Sequence, residues 1–100
     1  LGYYFAYGGT NCRDWPYKSL RTPAPAQYKG SSDILVVGTT GDPATPYEWA
    51  GALRKQLGKA SLLTWKGEGH TAYGRANSCI EKAVDGYLVD GKTPADNTVC

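Results

Sequence analysis

The sequence predicts an α/β domain built on parallel strands, and three observations indicate it. Residues 34–37 form a run of four aliphatic side chains, which is typical of a strand buried on both faces. Residues 47–57 follow with helical periodicity, and residues 60–65 form a second apolar run. A strand–helix–strand order of this length implies a right-handed crossover between two parallel strands.

Length and composition set limits on the class of protein. One hundred residues allow one small domain with a modest core, and a hydrophobic content of 41% is ordinary for a globular chain. The net charge is +2 and the basic residues are scattered, so we expect neither nucleic acid nor an anionic membrane as a partner. No apolar run approaches the length that spans a bilayer, so no membrane insertion is expected. Because the chain lacks both an initiator Met and a recognisable signal peptide, we expect it to begin inside a larger protein or after processing.

Residues 1–33 are predicted to be mostly irregular. They open with an aromatic stretch at residues 3–7 and continue through glycines and prolines at a density that is typical of loops. So many aromatic side chains need a surface to cover. We therefore expect an ordered segment that packs on other structure, ahead of an α/β portion at residues 34–100.

The first helix has clear predicted ends. Thr45 is the expected N-cap, Pro46 takes the first helical position, and Glu48 completes a capping box. Gly58 is expected to end the helix in a left-handed conformation. The predicted apolar face consists of Trp49, Ala50, Leu53 and Leu57.

A second helix is predicted over residues 79–89. Ser78 and Glu81 have the spacing of another capping box, and Asp90-Gly91 ends the segment. The polar tail, residues 92–100, shows no strand pattern, so we predict two strands and two helices. The apolar face of this helix consists of Ile80, Val84, Tyr87 and Leu88.

Two loops carry the residues that are suited to chemistry. Asp42 follows the first predicted strand, and His70, the only histidine, follows the second. Ligands and catalysis gather at the carboxyl ends of parallel strands, and adjacent strands place these loops side by side. An Asp beside a His is the orienting half of a nucleophilic triad, because the carboxylate fixes the imidazole tautomer and stabilises the imidazolium.

The residues alone leave other interpretations open. Asp42 before Pro43 is also typical of a turn, and His70 is also consistent with a surface loop. A zinc site made by His70 and the cysteines would lack the short ligand pair that such sites use. A phosphate loop at residues 38–41 would lack the Lys-Ser/Thr ending. We therefore predict no metal and no cofactor.

The three cysteines give an odd count. A bridge between Cys79 and Cys100 would pin the carboxyl tail to the fold and add about 3 kcal/mol in the chain-entropy model. Cys12 would then be a free thiol or would pair outside this chain. Such a bridge implies an oxidising compartment.

Several stretches together resemble one family, the carboxyl-terminal region of secreted tripeptidyl-aminopeptidase-like (TAP-like) α/β-hydrolases. They are residues 34–46, the run Gly67-Glu68-Gly69-His70-Thr71, and the ending from Asn77 to Cys100. Residues 12–16 resemble the segment with which that family returns from its lid to the core. The resemblance implies that Asp42 is the acid and His70 the base of a Ser-His-Asp triad. It also implies a Cys79–Cys100 bridge, and a partner for Cys12 nearer the amino terminus.

One large departure from the family is the missing nucleophile. In this fold the serine lies in a G-x-S-x-G elbow earlier in the chain, and none of the serines here has that context. We therefore expect a carboxyl-terminal βαβα portion with an incomplete sheet at residues 34–100, preceded by the end of a lid at residues 1–33. The resemblance implies the amino-terminal part of the hydrolase as partner, a peptide as substrate of the complete enzyme, and a secreted or envelope-associated bacterial location.

Two classes of function follow from this. The first is the acid/base portion of a secreted serine exopeptidase, with this chain inactive alone. The second is a non-catalytic module that keeps the hydrolase fold for binding or assembly. In either case the strand at residues 34–37 is apolar on both faces, so we expect self-association through its edge, or cover from the aromatic amino-terminal stretch.

Overall fold

The computed structural model describes residues 8–25 and 27–100, so the aromatic stretch at residues 3–7 lies outside the described residues. A short 3₁₀ helix at Gly8–Cys12 precedes an irregular segment. The α/β portion then alternates strands and helices as predicted. Its elements are β1 (Ile34–Gly41), α1 (Tyr47–Leu57), β2 (Ala60–Glu68), α2 (Ser78–Asp90) and β3 (Thr98–Val99).

The described strands form one sheet in the order β1-β2-β3, and both pairs are parallel. The predicted parallel α/β arrangement is therefore confirmed. β1 and β2 pair one for one from Ile34 with Ala60 to Thr39 with Trp65. β1 is an edge strand of this sheet, and β2 lies between its two neighbours.

Both long strands continue past their predicted ends. β1 extends to Gly41, past the aliphatic run at residues 34–37, and β2 extends to Glu68, past the apolar run at residues 60–65. Glycines follow both runs, and glycine weakens a strand. Backbone pairing between the two strands outweighs that weakness, and it carries both strands up to the loops of interest.

The core lies between β2 and α2. Leu63 and Ile80 are fully buried, and Ala72 and Val84 complete the cluster. Burying a side chain of the size of Leu or Ile is worth about 1.5–3 kcal/mol. The segment between β2 and α2, which carries His70, is thus anchored at both ends.

Helix α1 has the predicted bounds but not the predicted burial. None of its residues is buried; Trp49 is 63% exposed and Leu53 is 42% exposed. The helix approaches β1 closely at Gly38, where an added Cβ would lie 2.9 Å from the Cβ of Ala50. The hydroxyl of Tyr47 also lies 2.8 Å from the hydroxyl of Thr64 on β2. Because Trp49 and Leu53 are exposed, the outer apolar face of α1 is uncovered by the described residues.

The predicted caps of α1 need correction. Pro46, not Thr45, occupies the N-cap and makes no side-chain cap hydrogen bond, and the Thr45 hydroxyl donates to Asp42. Gly58 does end the helix with φ 73°, but its ψ of −64° is not left-handed helical. Lys59 N donates to the carbonyl of Leu57 at 2.8 Å, which closes a γ-turn around the glycine.

The predicted capping box of α2 is also wrong. The cap is Asn77, whose Oδ1 accepts from the backbone N–H groups of Cys79 at 3.0 Å and Ile80 at 3.1 Å. The Glu81 side chain does not act in a capping box; its Oε1 accepts from Gly74 N at 2.7 Å. The helix ends as expected at a left-handed residue, Gly91.

The tail forms a third strand that the sequence pattern did not predict. Cys79 and Cys100 form a disulfide, and Cys100 N donates to the carbonyl of Thr64 at 2.8 Å. Cys12 is exposed and unbridged within the described part of the chain. The disulfide and the backbone hydrogen bonds between β2 and β3 together hold the polar tail against β2. The tail has no apolar periodicity that would hold it there.

Asp96 provides a second anchor for the tail. Its Oδ1 accepts from Leu62 N at 2.9 Å and from Arg54 Nε at 3.1 Å. The side chains of Asp96 and Arg54 form an ion pair. The Leu62 N–H and then the guanidinium lower the pKa of Asp96, against the opposing effect of desolvation. Asp96 thereby joins the tail, β2 and α1.

Truncation of the core should destabilise the fold far more than truncation at the surface. Leu63→Ala removes a fully buried side chain and should lower the free energy of unfolding by about 2–5 kcal/mol. The matched control is Leu20→Ala, because Leu20 is 100% exposed and its loss should fall within about 0.5 kcal/mol of zero. Urea denaturation of both variants measures the difference, and equal midpoints would contradict the location of the core.

Candidate active site

The loops after β1 and β2 bring Asp42 and His70 into contact. The Nδ1 atom of His70 lies 3.0 Å from Oδ1 and 3.1 Å from Oδ2 of Asp42. The Asp42 side chain is 5% exposed, whereas that of His70 is 51% exposed. The carboxylate therefore lies inside the site, and half of the imidazole remains accessible.

Asp42 accepts hydrogen bonds from its own loop as well as from His70. Oδ1 accepts from the N–H groups of Ala44 at 2.8 Å and Thr45 at 2.9 Å. Oδ2 accepts from the Thr45 hydroxyl at 2.9 Å and from Thr71 N at 3.3 Å. Asp42 is thus also the turn residue that the alternative interpretation described, since its carboxylate closes the turn that leads into α1.

These donors keep Asp42 ionised. The Thr45 N–H is the largest cause that lowers the pKa of Asp42 well below its ordinary value; desolvation opposes it, and Ala44, the Thr45 hydroxyl and His70 lower it further. An anionic Asp42 can only accept in this contact, so His70 Nδ1 carries the proton and donates the hydrogen bond. That tautomer leaves Nε2 of the neutral ring free to take a proton.

The backbone beside His70 adopts an uncommon conformation. Thr71 has φ 67°, which is rare for a β-branched residue and costs on the order of 1–3 kcal/mol. The Thr71 N–H donates to Asp42 in this conformation. Strain of this kind clusters at functional sites.

Contacts from α2 hold the loop that follows His70, and sequence reasoning missed them. The Tyr73 hydroxyl donates to Asp85 at 2.7 Å, and this bond raises the pKa of Tyr73. Gly74 N donates to Glu81 one turn earlier on the helix. The only sequence signal was a pair of acidic residues with i,i+4 spacing on α2.

A mostly apolar cavity of about 440 Å³ opens beside Asp42. Its walls come from β1, from α1 and from the loop after His70. The lining includes Val36, Val37, Trp49, Leu53, Thr71 and Tyr73.

None of the serines of the chain has the G-x-S-x-G context of a nucleophile on a tight strand-to-helix turn. Ser31 and Ser32 precede β1, and Ser61 pairs with Leu35 near the start of the sheet. Ser19 is exposed in the irregular segment, and Ser78 begins α2. Residues 1–7 and 26 contain no serine.

Two further properties bear on the type of site. Across residues 8–25 and 27–100, no group of three His, Cys, Asp or Glu side chains is arranged to hold a metal ion. Within the same residues, no helix combines the length and the apolar character that crossing a membrane requires.

Comparison with known proteins finds relatives that are named as hydrolytic enzymes. The chain is 43% identical over 89 residues to carboxylesterase B of Mycobacterium tuberculosis strain H37Rv, and 39% identical over 89 residues to serine protease Hip1 of that strain. It is 37% identical over 91 residues to a tripeptidyl aminopeptidase of Streptomyces lividans. Each match covers 89% of this chain, and the chain spans about 17% of the length of these relatives.

The family model described as TAP-like protein matches residues 1–100. The parallel strands with intervening helices agree with the α/β sheet that this family shares. The chain therefore belongs to the TAP-like family of α/β-hydrolases.

Proposed function

We propose that this chain is the carboxyl-terminal part of a secreted bacterial serine exopeptidase and supplies the Asp and His of its Ser-His-Asp triad. Asp42 is the acid and His70 is the base. The observation that carries the proposal is the 3.0 Å contact between His70 Nδ1 and a buried Asp42 carboxylate at the carboxyl ends of neighbouring parallel strands.

The geometry suits the proton transfers of acyl-enzyme chemistry. His70 Nε2 takes the proton of the serine hydroxyl as the oxygen attacks the scissile carbonyl carbon. Asp42 stabilises the imidazolium that forms, and the imidazolium then gives its proton to the leaving amine. A water molecule, deprotonated by the same imidazole, releases the acyl group and returns the serine to its starting state.

The nucleophile and the oxyanion donors are assigned to polypeptide outside this sequence. The uncovered edge of β1 and the exposed side chains of Val37, Trp49 and Leu53 support this assignment, because they form a continuous apolar surface next to Asp42. A preceding strand paired with β1 would close the edge and bury that surface. The share of about 17% of the relatives' length agrees with a missing amino-terminal part.

The proposed substrate is a peptide with a free amino terminus, and the location is extracellular or in the envelope. The substrate rests on the relatives named serine protease and tripeptidyl aminopeptidase. The location rests on the Cys79–Cys100 disulfide, since such bonds persist in oxidising compartments. The relative named carboxylesterase makes ester hydrolysis the competing activity, and paired assays on both substrate classes separate the two.

Loss of the Asp42 charge should abolish most of the turnover. In the complete enzyme, Asp42→Asn should lower kcat by on the order of 10⁴, because an amide favours the wrong imidazole tautomer. The matched control is Asp90→Asn at the far end of α2, which should leave kcat unchanged. Hydrolysis of chromogenic tripeptide amides and of short acyl esters measures both variants. Unchanged turnover in Asp42→Asn would remove Asp42 from the triad.

The 100-residue chain alone should hydrolyse neither substrate. A histidine–carboxylate pair acting on water contributes about 10²–10⁴-fold, whereas enzymes start at about 10⁶-fold, and oxyanion stabilisation is missing as well. A serine-reactive phosphonate probe should therefore leave the chain unlabelled. Stoichiometric labelling, or turnover that His70→Ala abolishes, would reveal a nucleophile within these residues.

Asp42 should remain ionised at pH values where an ordinary Asp becomes protonated. Its folded-state pKa is depressed, so its carboxylate stabilises the fold above the unfolded pKa of about 3.9, and this contribution disappears as the pH falls through the lower folded pKa. The ¹³C resonance of the Asp42 carboxyl should stay constant from pH 8 to about pH 4. Thr45→Val removes one donor and should raise the pKa, whereas Thr45→Ser should restore it. A midpoint at the ordinary Asp value in the unsubstituted protein would contradict the assignment.

A further inference from the structure

The pairing of β1 with β2 changes register just before the site. Thr39 pairs with Trp65, but the next pair is Gly41 with Glu68, so β2 carries one more residue than β1 across this step. This is a β-bulge, and bulges occur often beside active sites, where they redirect a side chain. Here the bulge separates two regular strands from the two loops that hold Asp42 and His70.

The side chain of Thr40 bridges the irregular step. Its Oγ1 accepts from Gly67 N at 3.1 Å and donates to Gly67 O at 3.2 Å. One hydroxyl thus satisfies both backbone groups of the residue that the bulge removes from the ladder. The next backbone bond, from Gly69 N to Gly41 O at 3.2 Å, forms only after this step and directly before His70.

The bulge controls how far His70 extends beyond Asp42. An extra residue in β2 draws everything after it back by about one residue along the strand, which is about 3.3 Å. With regular pairing, His70 would therefore lie about one residue farther along the strand direction from Asp42. A shift of that size exceeds what a contact of 3.0 Å tolerates.

The glycine at the bulge fits this role but does not replace the hydroxyl. A Cβ added at Gly67 would lie 2.4 Å from the ring of Trp65, so position 67 requires a residue without a side chain. In the register, Gly67 has no partner residue on β1 at this step. Thr40 is exposed, so neither the burial of its methyl group nor the core accounts for a threonine there.

We propose that Thr40 is a positioning residue whose hydroxyl holds the bulge at Gly67 and thereby sets His70 against Asp42. The inference rests on the proposed function for its effect on catalysis, and on the hydrogen bonds of Thr40 for its effect on structure. Thr40 touches neither the reacting atoms nor His70; it acts through the position of the loop that follows β2.

The test compares Thr40→Val with Thr40→Ser in the complete enzyme. Valine keeps the shape and removes the hydroxyl, so kcat should fall by at least about 10², which a misplacement of only about 1 Å already causes, with little change in KM. Serine keeps the hydroxyl and should recover most of kcat. Thr22→Val, an exposed threonine in the amino-terminal segment, is the matched control and should leave kcat unchanged.

Two spectroscopic readouts separate positioning from general stability. The His70 Nδ1–H proton resonance should be observable in the unsubstituted and Thr40→Ser proteins and should be lost in Thr40→Val. The amide of Gly67 should exchange slowly in the unsubstituted protein, because its acceptor is Thr40 Oγ1. Fast exchange there would overturn the inference even if Thr40→Val did not fold.

The outcomes distinguish this inference from the proposed function. If Thr40→Val retains full kcat and the Nδ1–H resonance while Asp42→Asn loses activity, the role of Thr40 is wrong and the triad assignment stands. If Asp42→Asn retains activity, the triad assignment fails whatever Thr40 does. Equal loss of kcat in Thr40→Val and Thr40→Ser would also overturn the inference, because the hydroxyl would then not be the cause.

Discussion

The arrangement of the site depends on the hydrogen bonds that the carboxylate of Asp42 accepts. It accepts from Ala44 and Thr45 on its own loop and from His70 and Thr71 on the neighbouring loop. Burying an anion is costly unless hydrogen bonds compensate, and these donors supply that compensation. One group therefore closes the turn into α1, holds the strained backbone at Thr71 and orients the imidazole. The carboxylate that closes the turn is the same one that contacts the imidazole, so the turn interpretation and the proposed acid–base role do not exclude each other.

The two sides of this contact have unequal support. On the His70 side, the core at Leu63 and Ile80 and the disulfide to the tail anchor both ends of the loop. On the Asp42 side, β1 is an edge strand and α1 has no buried residue. His70 is thus held by this chain's own packing, whereas Asp42 rests on elements with one apolar face uncovered by the described residues. Whatever packs against β1 and α1 therefore acts on Asp42 more directly than on His70.

Local sequence patterns predicted the elements better than their ends. Helix α1 has the expected bounds because Pro46 fixes φ at its start and Gly58 adopts the positive φ of 73° that ends it. The capping boxes failed because Pro46, which has no side-chain acceptor, occupies the N-cap of α1, and because Asn77 caps α2 one residue earlier. The contact of Asp42 with His70 followed from topology, since neighbouring parallel strands end at one edge. The bulge, the third strand and the tie of Tyr73 to Asp85 depend on distant partners, and no local periodicity encodes them.

The relatives' names differ although their similarity to this chain is nearly uniform. Identities of 43%, 39% and 37% join it to a carboxylesterase, a serine protease and a tripeptidyl aminopeptidase. An acid and a base that activate a serine serve esters and amides equally, because both reactions pass through the same kind of tetrahedral intermediate. An acid–base pair of this kind meets the same chemical demand in each case. Selectivity between such substrates arises where the substrate is held rather than at the groups that move the proton. The contact of Asp42 with His70 therefore carries no information that would distinguish an ester from a peptide.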